Sequence, residues 1–191
     1  MFSKETYTAR RNELASLVSG GLILLPGNEE SPMNYADNTY HFRQDSTFLY
    51  YFGIQHPGMA AIIDIDNDIE IVFGEDFTID DIVFMGPKPT IVERAEQCGV
   101  ENVRRKAELA KVLDKAKQMG QIIHFLPLYR PESKIKLQEL IGIAPGEVAK
   151  KCSIDLVKAV VSQREIKTDE EIAQLNQAVD VTVDMHVAAM K

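Results

Sequence analysis

Residues 35–58 read Tyr35-Ala-Asp-Asn-Thr-Tyr40-His-Phe-Arg-Gln-Asp45-Ser-Thr-Phe-Leu-Tyr50-Tyr-Phe-Gly-Ile-Gln55-His-Pro-Gly58, and the fold is decided here. The stretch opens polar and turn-like. Arg43, Gln44, Asp45 and Ser46 then stand directly ahead of the aromatic run Phe48-Leu49-Tyr50-Tyr51-Phe52. Gly53 stops that run, and Pro57-Gly58 turns the chain into a new apolar segment. Six of the fourteen Phe and Tyr residues lie between Tyr40 and Phe52, so the aromatic weight of the domain falls on this segment. Composition predicts a buried strand or short helix with a polar lead-in.

Working outward, residues 5–18 place Leu14, Leu17 and Val18 on one helical face and leave Arg10, Arg11 and Glu13 to face out. Gly20-Gly21 ends that helix. Leu22-Ile23-Leu24-Leu25 is wholly apolar, the form of a strand buried on both faces. On the other side, Met59–Asp66 and Ile69–Phe73 flank an Asp-Asn-Asp turn and predict a β-hairpin. Asp64, Asp66 and Asp68 have the alternate spacing of a Ca²⁺ loop. The central Gly and the twelfth-position Glu are missing, so a solvated hairpin tip is expected.

Ile82–Met85 reads as a strand or buried segment closed by Gly86-Pro87-Lys88-Pro89, which is no phosphate loop because two prolines remove N–H donors. Thr90–Cys98 predicts a short helix, 100–103 a short strand, 106–119 a helix, 122–126 a strand and 132–141 a helix. Strands alternating with helices around one hairpin point to an α/β fold, a mixed β-sheet flanked by helices. Thr168 and Glu171 form a capping box, and Ile172, Leu175, Val179, Val183, Val187 and Met190 make one apolar stripe behind it. With no Gly, Asn or Pro to end that pattern, the stripe is expected to meet a surface beyond these residues; docking onto its own domain is the other possibility.

The chain has 191 residues, room for one sizeable domain, and a net charge of −8 that argues against nucleic acid or an anionic membrane as partner. Cys98 and Cys152 form no CxxC pattern and fit free thiols in a reducing compartment. The N-terminus lacks the apolar core of a signal peptide, so a cytoplasmic location is expected. His41, His56, His124 and His186 lack the spacing that presents two ligands to one metal. His124, inside an apolar strand, is expected to be a hydrogen-bonded core residue, and Asp180, Asp184 and His186 a solvated helix side. No Gly-x-Ser-x-Gly elbow occurs. The residues themselves carry no catalytic centre and no metal site.

The order Arg-Gln-Asp-Ser, aromatic cluster, Gly-Ile, Pro-Gly resembles the N-terminal domain of Xaa-Pro aminopeptidases (aminopeptidase P), relatives of prolidase and creatinase. Tyr7–Leu17 leading to Gly-Leu-Ile-Leu-Leu-Pro-Gly is similar to that family's opening helix and first strand. Gln163–Ile172 is similar to its linker. The resemblance implies the creatinase/prolidase N-terminal fold with its ribonuclease H-like motif over 1–162. It implies that 163–191 are the linker and first helix of a pita-bread catalytic domain lying outside these residues. That domain would hold two divalent metals, commonly Mn²⁺, on two Asp, one His and two Glu, and would cleave the bond before proline in Xaa-Pro peptides. This chain would be non-catalytic, shaping access for a proline-containing peptide and making subunit contacts in a homo-oligomer. Asp37 and Arg43 are the candidate substrate-access residues, because in relatives the Asp matching Asp37 lies on a loop near a catalytic pocket. Alternatively Asp37 caps a turn and Arg43 pairs with Asp45 or another local acid. A free-standing binding or assembly module, or a prolidase or creatinase-like parent, are the alternatives at the level of function.

Overall fold

The computed structural model describes residues 2–191. Along the chain run α1 (Lys4–Leu17), β1 (Leu22–Pro26), α2 (Ser46–Phe52), β2 (Ala60–Asp64), β3 (Ile69–Gly74), α3 (Ile79–Met85) and α4 (Ile91–Gln97). There follow β4 (Val103–Arg105), α5 (Leu109–Gln118), β5 (Ile123–His124), α6 (Pro131–Ile141), α7 (Val148–Lys151), α8 (Ile154–Glu165) and α9 (Asp169–Met190). The strands form one mixed sheet in the order β4-β3-β2-β1-β5. The hairpin contributes the antiparallel β2–β3 pair, with Ile62 opposite Ile71, and β2 also pairs antiparallel with β1. β4 and β5 add parallel edges.

The apolar runs of β1 and β2 are continuous because both faces of the sheet are covered. Ile23, Leu25, Ala61, Ile63 and Val72 face a core built with α1, α2, α4 and α8, where Phe48, Tyr51 and Phe52 sit. Leu22, Leu24, Ala60, Ile62, Ile71 and Phe73 face the other way, onto Leu109, Leu113 and Ala116 of α5, Leu137 of α6 and Val148 of α7. At the hairpin tip Asp68 takes the left-handed conformation (φ 53°). Asp64 and Asp66 are structural acceptors there: Asp64 takes Asn67 N–H and its amide, and Asp66 takes Gly21 N–H at 2.8 Å.

The arginines of α1 depart from expectation. Arg11 is 0% exposed and Arg10 is also buried, while Leu17 faces solvent. Positions 7, 10, 11 and 14 share the inward face, and the two charges on it are met rather than excluded. Arg11 donates to Glu70 (2.8 Å) and to Tyr51 O (3.0 Å); Arg10 donates to Tyr50 O (2.9 Å) and Glu171 (3.2 Å). Those carbonyls belong to the last turn of α2, which has no intrahelical donors left for them, and a cation is favoured at a helix C-terminus.

Two further corrections have local causes. The segment expected to be buried at Ile82–Met85 belongs to an exposed helix, with Phe84 88% accessible. Thr78 and Asp81 close a capping box that starts α3 whatever its side chains do afterwards. The strand expected over 122–126 shrinks to Ile123–His124. Its next carbonyl, Phe125 O, accepts from Ser153 N–H instead, and His124 is held by Ser153 Oγ (2.7 Å) and Gly20 O (3.0 Å), a buried and fully partnered histidine. The edge strand expected at 100–103 falls at 103–105, because Val100 N–H is used to close α4 onto Ala95 O. Helix α9 carries the expected Thr168–Glu171 capping box and buries no residue; Ile172, Leu175, Val179, Val183, Val187 and Met190 are all exposed.

Candidate functional site

Residues 28–45 form the loop that precedes α2 and carries both candidates. Its outer half is a miniature hairpin. Pro32 and Thr39 bridge antiparallel, Met33 N–H bonds Asn38 O (2.8 Å), and Tyr40 N–H bonds Ser31 O (3.0 Å). Asn38 donates to Tyr35 O from its backbone and to Asn34 from its amide. Asp37 sits in the turn at the exposed tip, between exposed Tyr35 and Tyr40. Arg43 lies at the base, its guanidinium solvent-facing, and among the described residues neither side chain enters an ion pair. The loop therefore does not bring the two together. Nor does Asp45 pair with Arg43: its Oδ1 accepts Thr47 N–H (2.9 Å) and Phe48 N–H (3.0 Å) as the N-cap of α2.

What fixes the loop is a pair of amides between its two candidates and the core. Gln44 is only 2% exposed. Its Oε1 accepts from Asn28 N (2.8 Å) and Asp45 N (2.9 Å), and its Nε2 donates to Ile54 O (3.2 Å) and His56 O (2.8 Å). Asn28 answers with its own amide on Arg43 O (2.9 Å). One side chain thus joins the end of β1, the entry to α2 and its exit. Gly53 caps α2 at φ 65°, and a Cβ there would lie 2.3 Å from the Tyr7 ring, so no other residue fits.

A second tie comes from charge. Glu29 accepts from Lys106 (2.8 Å) and Lys136 (2.9 Å), joining the loop to the turn after β4 and to α6. Burial pushes the Glu29 carboxyl up, but the two ammonium groups outweigh it and hold its pKa below the ordinary carboxylate value. Arg130 donates to Ser31 Oγ (2.9 Å) at the same margin. Beneath the loop lies His56, whose Nδ1 meets Pro57 O (2.7 Å) while Nε2 is buried without a partner. Burial is the main cause of its lowered pKa.

The site is a loop held at its base by hydrogen bonds and ion pairs and presenting a polar and aromatic tip. Sequence reasoning picked the tip and the base but missed Gln44, Asn28 and Glu29, which hold them. A signal existed for Gln44 in an uncharged polar residue directly ahead of an N-cap Asp; Asn28 and Glu29 offered none, because their partners are remote in sequence. Among the described residues no group of three or more His, Cys, Asp or Glu side chains is disposed to hold a metal.

The family described as "Aminopeptidase P, N-terminal domain" matches residues 7–124. Human Xaa-Pro dipeptidase is 25% identical over 191 residues, covering 99% of this chain and 38% of its own length. A probable Xaa-Pro aminopeptidase of Aspergillus fumigatus is 27% identical over 172 residues, covering 88% of this chain and 33% of its own. Among solved structures, aminopeptidase PepP of Pseudomonas aeruginosa superposes with a TM-score of 0.80 at 18% identity, over 99% of this chain and 44% of that one. Escherichia coli aminopeptidase P does so with a TM-score of 0.76 at 21% identity, over 97% and 44%. The chain thus spans less than half the length of each of these relatives, and the structural likenesses establish the fold: a mixed sheet flanked by helices, as expected.

Proposed function

This chain belongs to the aminopeptidase P N-terminal domain family, and we propose that it is the non-catalytic N-terminal domain of a metal-dependent peptidase that removes the N-terminal residue from Xaa-Pro peptides. The observation that carries the reading is the family match over 7–124, which the human dipeptidase extends across 99% of the chain. In this reading residues 1–162, with α8 continuing to Glu165, form the N-terminal domain, and α9 leads into the catalytic one. The hydrolytic step would belong to two divalent metals, Mn²⁺ the expected ion, held by residues outside this chain. Among the described residues no group of His, Cys, Asp or Glu side chains is disposed to hold such a pair, and no step is assigned to this chain's own carboxylates.

The chain's own contribution is shape. The amide staple at Gln44 and the Glu29 ion pairs hold the base of the 28–45 loop and leave Asp37 at its exposed tip. A carboxylate there can orient a substrate's cationic N-terminus, and Arg43 at the base can meet a carboxylate. Subunit contacts in a homo-oligomer and a cytoplasmic location complete the reading; free Cys98 and Cys152 suit a reducing compartment. The likeness to human Xaa-Pro dipeptidase supplies a second, narrower alternative in which the substrate is an Xaa-Pro dipeptide.

The test uses the product of the whole reading frame that encodes this chain, loaded with Mn²⁺ and assayed on Ala-Pro and on a longer Ala-Pro peptide. Cleavage of the longer peptide marks the aminopeptidase, and cleavage of Ala-Pro alone the dipeptidase. Asp37→Ala is expected to lower kcat/KM at least about tenfold, worth about 1.4 kcal/mol, with Tm and metal content unchanged. A fall in Tm with the rate per folded molecule intact would make Asp37 a turn residue and end its functional assignment.

A further inference from the structure

An open cavity of about 610 Å³ lies between α1, α2 and the end of α8, and three arginines reach it: Arg10, Arg43 and Arg164. Tyr50, Ser46 and Gln55 line it with them. Acidic residues outnumber basic ones 29 to 21 in this chain, yet only one of these guanidinium groups has a carboxylate. Arg10 is committed, paired with Glu171 (3.2 Å) and stacked between Phe2 and Tyr50 at 4.4 and 4.0 Å. Arg164 spends one N–H on Thr47 Oγ1 (3.2 Å) and lies 5.4 Å from the Tyr50 ring centre, and its side chain enters no ion pair among the described residues. Arg43 spends none of its side-chain donors among the described residues; only its backbone carbonyl is engaged, by Asn28. The nearest acid in sequence, Asp45, is turned away to cap α2.

We propose that this cavity binds a small oxyanion, a carboxylate or a phosphate, between the guanidinium groups of Arg43 and Arg164. Arg43 and Arg164 line one cavity and neither enters an ion pair among the described residues; an anion placed between them would offset their mutual repulsion and fill planar N–H forks. Ser46, which also lines the cavity, offers a neutral hydroxyl donor, and the Tyr50 ring lies 5.4 Å from the Arg164 guanidinium. The chain's overall charge of −8 opposes any anion at long range, so recognition here depends on these close contacts. The site shares Arg43 with the reading above but not Asp37 at the loop tip, and its test reads anion binding rather than peptide cleavage, so the two can fail separately.

Isothermal titration of the whole chain at low salt, with inorganic phosphate and separately with succinate, tests it. Saturable binding with a Kd of about 1 mM or tighter is expected for at least one probe, and the probe that binds names the source. Arg43→Gln, at a side chain that makes no hydrogen bond or ion pair among the described residues, should weaken that binding at least about fivefold, and Arg43→Lys should restore it only in part because a single ammonium lacks the fork. No saturable heat with either probe, or a loss of less than about fivefold in Arg43→Gln, overturns the proposal.

Discussion

Replacing Gln44 by Ala removes the side chain on which the candidate loop depends, and the structure sets the size of the effect. Four backbone groups lose their partner: Asn28 N–H, Asp45 N–H, Ile54 O and His56 O. Asp45 N–H is partly exposed and water can reach it, so its loss costs little. The other three are buried, and at about 1 kcal/mol or slightly more each they sum to about 3–4 kcal/mol. For a chain of this length, about 2–4 °C of Tm per kcal/mol places the expected drop near roughly 10 °C. Urea unfolding followed by far-ultraviolet circular dichroism measures this, with an unchanged m-value required so that the loss belongs to the native state. Gln44→Met serves as the volume-matched control and should recover little, because the cost comes from unpaired polar groups rather than a void. A destabilisation below about 1 kcal/mol in Gln44→Ala would refute the view that this amide holds the loop.

Other outcomes follow from single sites. His56 has a folded pKa depressed below its ordinary value of 6.5, so its neutral form favours folding: this contribution is full above pH 6.5 and is lost as pH falls through 6.5 to the lowered folded value. His56→Gln should flatten the stability–pH curve in that window, and an identical slope in both proteins would show that His56 does not contribute. Gly53→Ala must adopt φ 65° and bring a Cβ to 2.3 Å from the Tyr7 ring, so a loss of about 2 kcal/mol or more is expected by denaturant melt, against no loss if α2 ends differently. The bare stripe of α9 should make the 191-residue chain self-associate or leave that helix poorly protected from hydrogen exchange. Sedimentation with and without residues 169–191 reads the first and exchange the second, and a monomer with a strongly protected α9 would contradict both.

The elements legible in the sequence are those that local chemistry determines. The hairpin announced itself through two apolar runs around Asp-Asn-Asp, and α9 through Thr168 and Glu171, since each signal lies within a few residues. The aromatic run became α2 rather than a strand because Asp45 and Gly53 cap both of its ends. The buried arginines were misread because their partners, Glu70 and the carbonyls of Tyr50 and Tyr51, lie about forty or more positions away. Helix α8 gave little warning, since its cap is a single serine, Ser153, whose hydroxyl also serves His124. For the site, the family resemblance supplied Asp37 and Arg43 as substrate-access candidates on a loop. Sequence could not supply Gln44 as their keystone, because four partners at separations of one to sixteen residues become one cluster only after the sheet has formed.

The most direct test of the central claim sets the 191-residue chain beside the product of its whole reading frame in one Ala-Pro peptide assay with Mn²⁺, alongside titration of each with the metal. The whole product is expected to bind Mn²⁺ tightly and cleave the peptide, and this chain to do neither. Submicromolar Mn²⁺ binding or persistent turnover by the purified 191-residue chain, or no turnover by the whole product, would contradict the claim that this domain shapes a catalytic site it does not contain.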